Sequence, residues 1–139
     1  MPLLANHNAV VTGAGSGIGR AIALGYAREG ARVVVLDINK DAAAETAQQI
    51  LNAGGKAESF ALDVTRRDDC VAMARQVADR VGAVSILVNN AGIVGRNGMT
   101  GADEAVINDW ENIISVNLTG VFNVTHAFLP ALRANKGRI

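Results

Sequence analysis

The sequence predicts an α/β fold in which a parallel β-sheet is covered by helices on both faces. Short apolar runs alternate along the chain with longer segments whose apolar residues recur at helical spacing, the pattern of repeated strand–helix–strand units. The run Val33–Leu36 is continuously apolar and mostly β-branched, as expected of a strand buried on both faces. A glycine-rich turn joins the first strand to the first helix. Together these three observations predict a three-layer, doubly wound sheet.

Each element follows from the same periodicity. The predicted strands are Asn8–Thr12, Arg32–Asp37, Ala57–Leu62 and Ile86–Asn89, and the predicted helices are Ser16–Arg28, Asp41–Leu51, Thr65–Val81 and Asp109–Ala134. Glycines at 30, 54 and 82 follow the first three helices, where a helix commonly ends. We expect Asp41 to act as an N-cap, and Thr65 with Asp68 resembles a capping box.

The last third of the chain is less regular. The stretch Gly92–Asn108 has no period and is predicted to be a loop, whereas Asp109–Ala134 is long enough that we expect a kink or a break in it. Lys136–Ile139 resembles the turn into a fifth strand. We therefore expect one domain over residues 1–139, the N-terminal part of a longer protein that is truncated at the start of the fifth strand.

Composition excludes several classes of protein. The chain has 139 residues, of which 50% are hydrophobic and 19% charged, and this is not the profile of a disordered protein. Its 13 basic and 13 acidic residues balance, so a nucleic-acid or membrane-surface binder is not expected. The single cysteine, Cys70, cannot form an intrachain disulfide. With no signal-peptide pattern in Met1–His7 and no apolar run of about 18 residues, we expect a cytoplasmic protein.

The sharpest local feature is the turn Thr12–Gly19. Its glycines stand in the order T-G-x-x-x-G-x-G, which differs from the strict G-x-G-x-x-G spacing. Between a strand and a helix, free backbone N–H groups and the positive end of the helix dipole favour a pyrophosphate, provided that no side chain blocks its approach. The alternative is a glycine-rich turn that binds no ligand.

Asp37 ends the second predicted strand, at the sheet edge where the adenosine ribose of a dinucleotide would lie. A carboxylate there accepts hydrogen bonds from a 2′-OH and repels a 2′-phosphate, so NAD is expected in preference to NADP. Neither Ser16 nor Ile38 offers a positive charge to a phosphate, although Lys40 is nearby. Alternatively, Asp37 caps the turn that follows it.

Two other strand ends carry candidate ligands. Asp63 and Val64 follow the third strand, where a carboxylate could bind the adenine amino group and an apolar side chain could line the ring. Small residues in Asn89–Gly92 follow the fourth strand and would let the ribose and nicotinamide approach the backbone. Turns of this composition are also common without any ligand. Because open α/β sheets bind ligands at these strand ends, the combination favours a dinucleotide site.

Together these residues resemble the short-chain dehydrogenase/reductase family, of the classical type. The resemblance also includes Asn117 within the sequence Val116-Asn117-Leu118-x-Gly120. It implies a Rossmann-like fold that binds NAD(P) and a hydride transfer between the cofactor and an alcohol or carbonyl substrate. It assigns the cofactor contacts to Gly13, Ser16, Gly17, Ile18, Gly19, Asp37, Ile38, Asp63, Val64, Asn90, Ala91 and Gly92.

Asn117 matches the family's catalytic asparagine, which interrupts its helix and holds a water through its backbone carbonyl. A helical Asn should in any case be exposed or have a definite hydrogen-bond partner, so a structural role is the alternative. His7 and His126 have no acidic residue or cysteine at ligand spacing, and we expect no metal site. Trp110, Phe122 and Phe128 are assigned to the core or to a subunit interface.

The family's proton donor is a Tyr followed four residues later by a Lys, with a Ser that polarises the substrate. The only tyrosine here is Tyr26, followed by Ala27-Arg28-Glu29-Gly30 in the first helix, so it does not match that motif. We therefore expect the chain to be inactive alone; the alternatives are a non-catalytic or partner-completed dinucleotide-binding module, or a structural domain. The resemblance further implies a homodimer or homotetramer.

Overall fold

The computed structural model describes all residues, 1–139, and shows one four-stranded parallel sheet flanked by helices. The strands are β1 (Asn8–Thr12), β2 (Arg32–Asp37), β3 (Lys56–Ala61) and β4 (Ile86–Val88). The helices are α1 (Gly17–Arg28), α2 (Lys40–Asn52), α3 (Arg67–Arg80), α4 (Asp103–Ile114) and α5 (Gly120–Ala134), with a π-helical turn at Ser115–Thr119. This confirms the predicted fold class.

The strand order is β3-β2-β1-β4. In the centre of the sheet, Val10 of β1 is paired with Val34 of β2 on one side and with Leu87 of β4 on the other. β2 and β3 therefore lie on one side of β1, and β4 lies on the other side. The strand order reverses between β1 and β4, which is where open α/β sheets have a crevice at the carboxyl ends of the strands.

Alternate residues of each strand are buried in two separate cores. Val10 and Val34 pack with buried residues of α3 and α5, such as Val77 and Phe128. Val11 and its neighbours on the other face pack with residues of α1 and α2. Side chains alternate between the two faces of a strand, so continuous apolar runs bury both faces and produce three layers.

Two helix starts differ from the prediction. The N-cap of α2 is Asn39, whose side chain accepts a hydrogen bond from Ala42 N at 3.0 Å, and Asp41 lies within the first turn instead. Thr65 does not cap α3, because its N–H and hydroxyl both donate to Asp63 Oδ1, at 2.9 and 2.7 Å. At α2 the side chain of Asn39, two residues before Asp41, makes the capping hydrogen bond. Before α3 the side chain of Asp63, two residues before Thr65, accepts both hydrogen bonds that Thr65 donates.

The predicted loop Gly92–Asn108 is wrong over its last six residues, because α4 begins at Asp103. Two acidic residues, Asp103 and Glu104, occupy its first turn, where the helix dipole favours negative charge. The expected break in the long helix is present as the π-helical turn Ser115–Thr119. Such turns are rare and occur often at functional sites.

The free edge of β4 is partly covered. Leu87 N donates to Arg138 O at 3.0 Å, and Arg138 N donates to Ser85 O at 2.9 Å, which forms a parallel bridge between Ile86 and Arg138. The expected turn into a further strand is therefore seen as a single bridge. This bridge pairs part of the edge of β4 that faces away from β1.

The helical segment Asp103–Ala134 is long and apolar enough to cross a membrane by length and composition alone, with a mean hydropathy of 1.2 in its most apolar window. Charged and polar residues interrupt this segment, so it contains no continuous apolar run of membrane-spanning length. Its length and composition are weak evidence for a membrane span, since the core helix of a soluble protein passes the same test. Here Val124, Phe128 and Leu132 pack in the core against the sheet.

Candidate functional site

A cavity of about 470 Å³ lies at the carboxyl ends of the strands, at the point where the strand order reverses. The predicted cofactor-binding residues that line it are Gly13, Ser16, Gly17, Ile18, Asp37, Ile38, Asp63, Val64, Asn90, Ala91 and Gly92. The structure therefore brings residues from four strand ends together around one space. Their assignment as cofactor ligands remains a prediction.

The turn after β1 presents backbone rather than side chains to this cavity. Gly13 and Gly17 have φ values of +60° and +54°, which L-residues with side chains rarely adopt. A Cβ on Gly13 would lie 2.8 Å from Ala91 Cα, whereas the space in front of Gly17 is open. Ser16, the N-cap of α1, makes no capping hydrogen bond, and the first turn has no acidic residue. The helix N-terminus thus fits an anionic group.

Gly19 is the one predicted cofactor-contact residue outside the cavity lining. It is buried and does not line the cavity. A Cβ there would lie 2.3 Å from Gly13 O and 2.4 Å from Asn90 Nδ2. This glycine therefore allows the turn to fold back onto α1, and its assignment as a cofactor contact stays a prediction.

Asp37 lies in the cavity wall with both carboxylate oxygens engaged. Gly15 N donates to Oδ2 at 2.9 Å, and Asn39 N donates to Oδ1 at 2.9 Å. The hydrogen bond from Asn39 N shows that Asp37 also caps the turn that follows β2. Asp37 therefore both caps this turn and lines the cavity. Carboxylate oxygens can accept more than one hydrogen bond, so both retain capacity for a ligand hydroxyl. Gly15, absent from the predicted residues, lies so close that a Cβ would be 2.8 Å from Asp37 Oδ2.

Thr12 and Asn90 tie the turn to the end of β4. Thr12 Oγ1 accepts hydrogen bonds from the backbone N–H groups of Asn90 and Ala91, both at 3.0 Å. Asn90 Nδ2 donates to the carbonyls of Thr12 and Gly13, both at 3.1 Å. The side-chain amide N–H groups of Asn90 thus bind the turn. Thr12 was present in the motif but was not predicted to act; only its position beside β4 reveals this role.

Arg20 was also missed. Its guanidinium donates to Gly15 O at 2.6 Å and to Thr46 Oγ1 at 3.0 Å, and it forms an ion pair with Glu45 at 3.3 Å. The sequence signal was only a basic residue one position after Gly19. Its partners on α2 are 25 and 26 residues away and could not be identified without the fold.

At the end of β3, Asp63 and Val64 line the same cavity. Asp63 Oδ1 is occupied by Thr65, as described above. The backbone of Val64 is held by α5, since its carbonyl accepts a hydrogen bond from Nδ2 of the buried Asn123 at 3.0 Å. Asn123 is a buried polar residue of α5, and no local pattern in the sequence marks it.

Asn117 lies in the π-helical turn and is exposed. Its side chain makes a reciprocal pair of hydrogen bonds with Ile93: Ile93 N donates to Oδ1, and Nδ2 donates to Ile93 O, both at 2.8 Å. Asn117 does not line the cavity, but its neighbour Val116 and its partner Ile93 do. The expectation of an exposed Asn with a definite partner is confirmed, and its catalytic role stays a prediction.

A second side chain holds the segment after β4. Asp109 Oδ2 accepts hydrogen bonds from Arg96 N at 2.8 Å, Asn97 N at 2.7 Å and Asn97 Nδ2 at 3.1 Å. The hydrogen bond from the Asn97 backbone is the main reason that the pKa of Asp109 lies below its ordinary value. The negative charge of Asp109 therefore stabilises the conformation in which this segment is hydrogen-bonded to it.

The remaining reactive side chains lie elsewhere. Tyr26 is part of α1 and packs against the core on the α1/α2 face. Cys70 is buried beside Val64 O, and burial raises the pKa of its thiol to about 11, so the thiol is not a nucleophile at neutral pH. His7 Nδ1 shares a 2.8 Å hydrogen bond with Ser85 Oγ, and His126 stacks on Phe122.

Comparison with known proteins agrees with this geometry. The family model described as short chain dehydrogenase matches residues 7–139. An uncharacterized oxidoreductase from Bacillus subtilis is 42% identical over 139 residues, which is 100% of this chain and 50% of that protein. The chain thus spans about half the length of the curated relatives it matches.

Solved structures give the same result. A hydroxysteroid dehydrogenase from Escherichia coli superposes with a TM-score of 0.86 at 35% identity, covering 95% of this chain and 55% of that one. A metagenomic short-chain oxidoreductase in complex with NADP gives a TM-score of 0.86 at 38% identity, covering 96% and 60%. By the family match, the sequence identity and the fold, this chain belongs to the short-chain dehydrogenase family.

Proposed function

We propose that residues 1–139 form the NAD(H)-binding domain of an oxidoreductase that transfers hydride between NAD(H) and a small alcohol or carbonyl substrate. The observation that carries this proposal is the cavity at the strand-order reversal, with an open helix N-terminus at one side and the Asp37 carboxylate at the other. The first feature suits a pyrophosphate, and the second suits a ribose diol.

Each part of the cavity suits one part of the cofactor. The backbone of Gly13–Gly19 would hold the pyrophosphate, Asp37 and Ile38 the adenosine ribose, and Asp63 and Val64 the adenine. The small residues Asn90–Gly92 would face the nicotinamide and its ribose. When bound, the nicotinamide ring supplies or accepts the hydride.

The preference for NAD rests on charge. Asp37 would lie against the 2′ position of the ribose, where a carboxylate attracts a hydroxyl and repels a phosphate. Arg20, a cation next to the glycine turn, already has three partners, one of which is the acidic Glu45. The metagenomic relative holds NADP, so the cofactor choice of this chain needs its own measurement.

Catalysis is proposed to need groups outside this chain. Asn117 is the candidate it contributes, as a residue that shapes the π-helical turn beside the cavity. Tyr26 packs against the core and is not among the cavity residues, so it is not a candidate proton donor for this site. A dinucleotide-binding module without activity of its own is the second candidate function, and the position of Tyr26 is compatible with both.

Titration of the purified chain with NADH, followed by nicotinamide fluorescence, tests the binding proposal. We expect saturable binding that is tighter for NADH than for NADPH. Asp37→Ala should weaken NADH and reduce the preference, because the ribose partner and the repulsion of the 2′-phosphate are lost together. Asp41→Ala, an exposed acidic residue in the first turn of α2, is the matched control. Absence of saturable NADH binding would refute the proposal.

An assay of carbonyl reduction tests the proposal that catalysis needs groups outside residues 1–139. With NADH and a panel of ketones, the chain should show turnover indistinguishable from background, and a full-length family member serves as the positive control. Measurable turnover by residues 1–139 would show that the proton donor is present and that our account of the missing tyrosine is wrong.

We further propose a homodimer or homotetramer in the cytoplasm. Trp110, Leu118 and Phe122 are exposed by 67, 63 and 53% on the α4–α5 segment, a large apolar area for a free surface. The single free thiol of Cys70 is compatible with a reducing compartment. Light scattering coupled to size exclusion measures the oligomer directly, and a monomer at all concentrations would contradict this part of the proposal.

A further inference from the structure

One guanidinium joins three parts of the molecule at the ribose end of the cavity. Arg20, in the first turns of α1, donates to the carbonyl of Gly15 in the glycine turn and to the hydroxyl of Thr46 in α2. It also pairs with the Glu45 carboxylate. The planar fork of an arginine can bond several acceptors in fixed directions at once, which an ammonium on a flexible stem does less well.

Gly15 is held at both of its polar atoms. Its carbonyl accepts from Arg20 at 2.6 Å, and its N–H donates to Asp37 Oδ2 at 2.9 Å. These two bonds restrain the orientation of the peptide groups on either side of Gly15. A rotation of this residue would move its N–H away from the Asp37 carboxylate.

The bond to α2 makes the restraint rigid. Thr46 is fully buried, and only 27% of the Arg20 side chain is exposed. The charge of the guanidinium is balanced by Glu45, whose side chain is 60% exposed, so this ion pair contributes little net field at the cavity. The effect of Arg20 on the site is therefore expected to be geometric.

We infer that Arg20 is a positioning residue for cofactor binding, which acts through Gly15 on the orientation of the Asp37 carboxylate. This inference rests on the proposed function, because it assumes that Asp37 binds the ribose. Arg20 itself does not line the cavity and makes no contact with a ligand. Its contribution should therefore exist only while Asp37 is present to be oriented.

A double-mutant cycle on NADH affinity tests this dependence. Arg20→Ala should weaken NADH roughly tenfold, the order of coupling seen between contacting residues. In the Asp37→Ala background, the same substitution should change the affinity by less than about twofold. A role confined to general stability would give the same loss in both backgrounds, and that result would overturn the inference.

Two more variants separate geometry from charge. Arg20→Lys keeps the charge but not the fork, so we expect most of the loss seen with Arg20→Ala; an affinity equal to that of the unsubstituted chain would overturn the inference. Arg28→Ala removes the same charge from the exposed end of α1 and should leave binding unchanged. A loss at Arg28 equal to that at Arg20 would assign the effect to charge.

Thr46→Val keeps the cycle usable if Arg20→Ala does not fold. It removes one of the three bonds and nearly preserves the side-chain shape, so we expect about a threefold loss that disappears in the Asp37→Ala background. An equal loss in both backgrounds would overturn the inference. A failure of the proposed function looks different, because the unsubstituted chain would then bind no NADH at all.

Discussion

The Gly13–Gly19 turn and the Gly92–Gly101 segment leave the same edge of the sheet from neighbouring strands, β1 and β4, but they are held in different ways. The turn is fixed from several directions by Thr12, Asn90, Asp37 and Arg20. The segment is held by two side chains of the helix that follows it, Asn117 and Asp109. Buried Ala14 contrasts with Val94 and Met99, which are 85 and 91% exposed.

This difference separates a rigid part of the site from an adjustable one. A turn bound by strands and helices on both sides moves only when the core is disturbed. A segment held by two polar side chains can open locally with the rest of the fold intact. We therefore expect the cavity wall formed by the turn to be the more rigid one and the wall formed by Ile93 to open more readily.

The largest effect is expected where the turn meets α1. Gly19→Ala places a Cβ 2.3 Å from Gly13 O, so the turn or the helix must move. Strain of this kind costs about 3 kcal/mol, a large fraction of the stability of a small domain. Urea unfolding followed by circular dichroism measures the loss.

Gly25→Ala is the matched control for that substitution. It lies in the same helix, its φ is not positive, and an added Cβ would meet no atom within 4 Å. Because alanine is the better helix former, stability should rise by up to about 1 kcal/mol. If both substitutions had similar effects, the rigid packing of the turn against α1 would be disproved.

A smaller and local effect is expected at Asn117. Asn117→Ala removes both hydrogen bonds to Ile93, each contributing about 0.5 to 1.5 kcal/mol. The segment should open more often, and trypsin should cleave after the exposed Arg96 several times faster. Mass spectrometry of the timed digest measures the rate of that cleavage.

Asn108→Ala is the control for Asn117→Ala. It changes the same residue type on the exposed surface of α4 and should leave the digestion rate unchanged. Unchanged cleavage in both variants would show that the Asn117 pair does not hold the segment, and the contrast between the two regions would then rest on Asp109 alone.

The same contrast explains what the sequence could predict. The strands, the glycine turn and Asp37 were identified because their signals are local: apolar period, glycine spacing and a polar residue at a strand end. The residues Thr12, Arg20 and Asn123 were missed because their partners are distant in sequence. The packing role of Gly19 was not predicted, since a glycine needed for packing and one needed for a ligand look alike in a motif.

The region after β4 was predicted less well for a related reason. The start of α4 at Asp103 was missed, because the glycines before it obscured the helical period. The break in the long helix was expected from length alone, whereas its form as a π-helical turn around Asn117 was not. The anchoring role of Asp109 depends on a chain reversal that no local pattern encodes.

The smallest expected effect is a pH-dependent opening of the segment at Asp109. Hydrogen bonds from Asn97 and Arg96 hold the pKa of this carboxyl below its ordinary value of 3.8 in the folded chain. Its contribution is therefore complete above the pKa of the unfolded state and is lost as the pH falls through the lower folded pKa. Protection of the Arg96 and Asn97 amides from hydrogen exchange should decrease between about pH 5 and pH 3 relative to the amides of β1.

Substitution at Asp109 shows whether the carboxylate is the cause. Asp109→Ala should leave the Arg96 and Asn97 amides poorly protected at every pH, because the acceptor of both is gone. Glu111→Ala removes an exposed acid from the same helix and should retain the normal pH dependence. If the β1 amides lost protection in parallel with those of Asn97, the acid transition would be global unfolding, and the independent opening of the segment would be refuted.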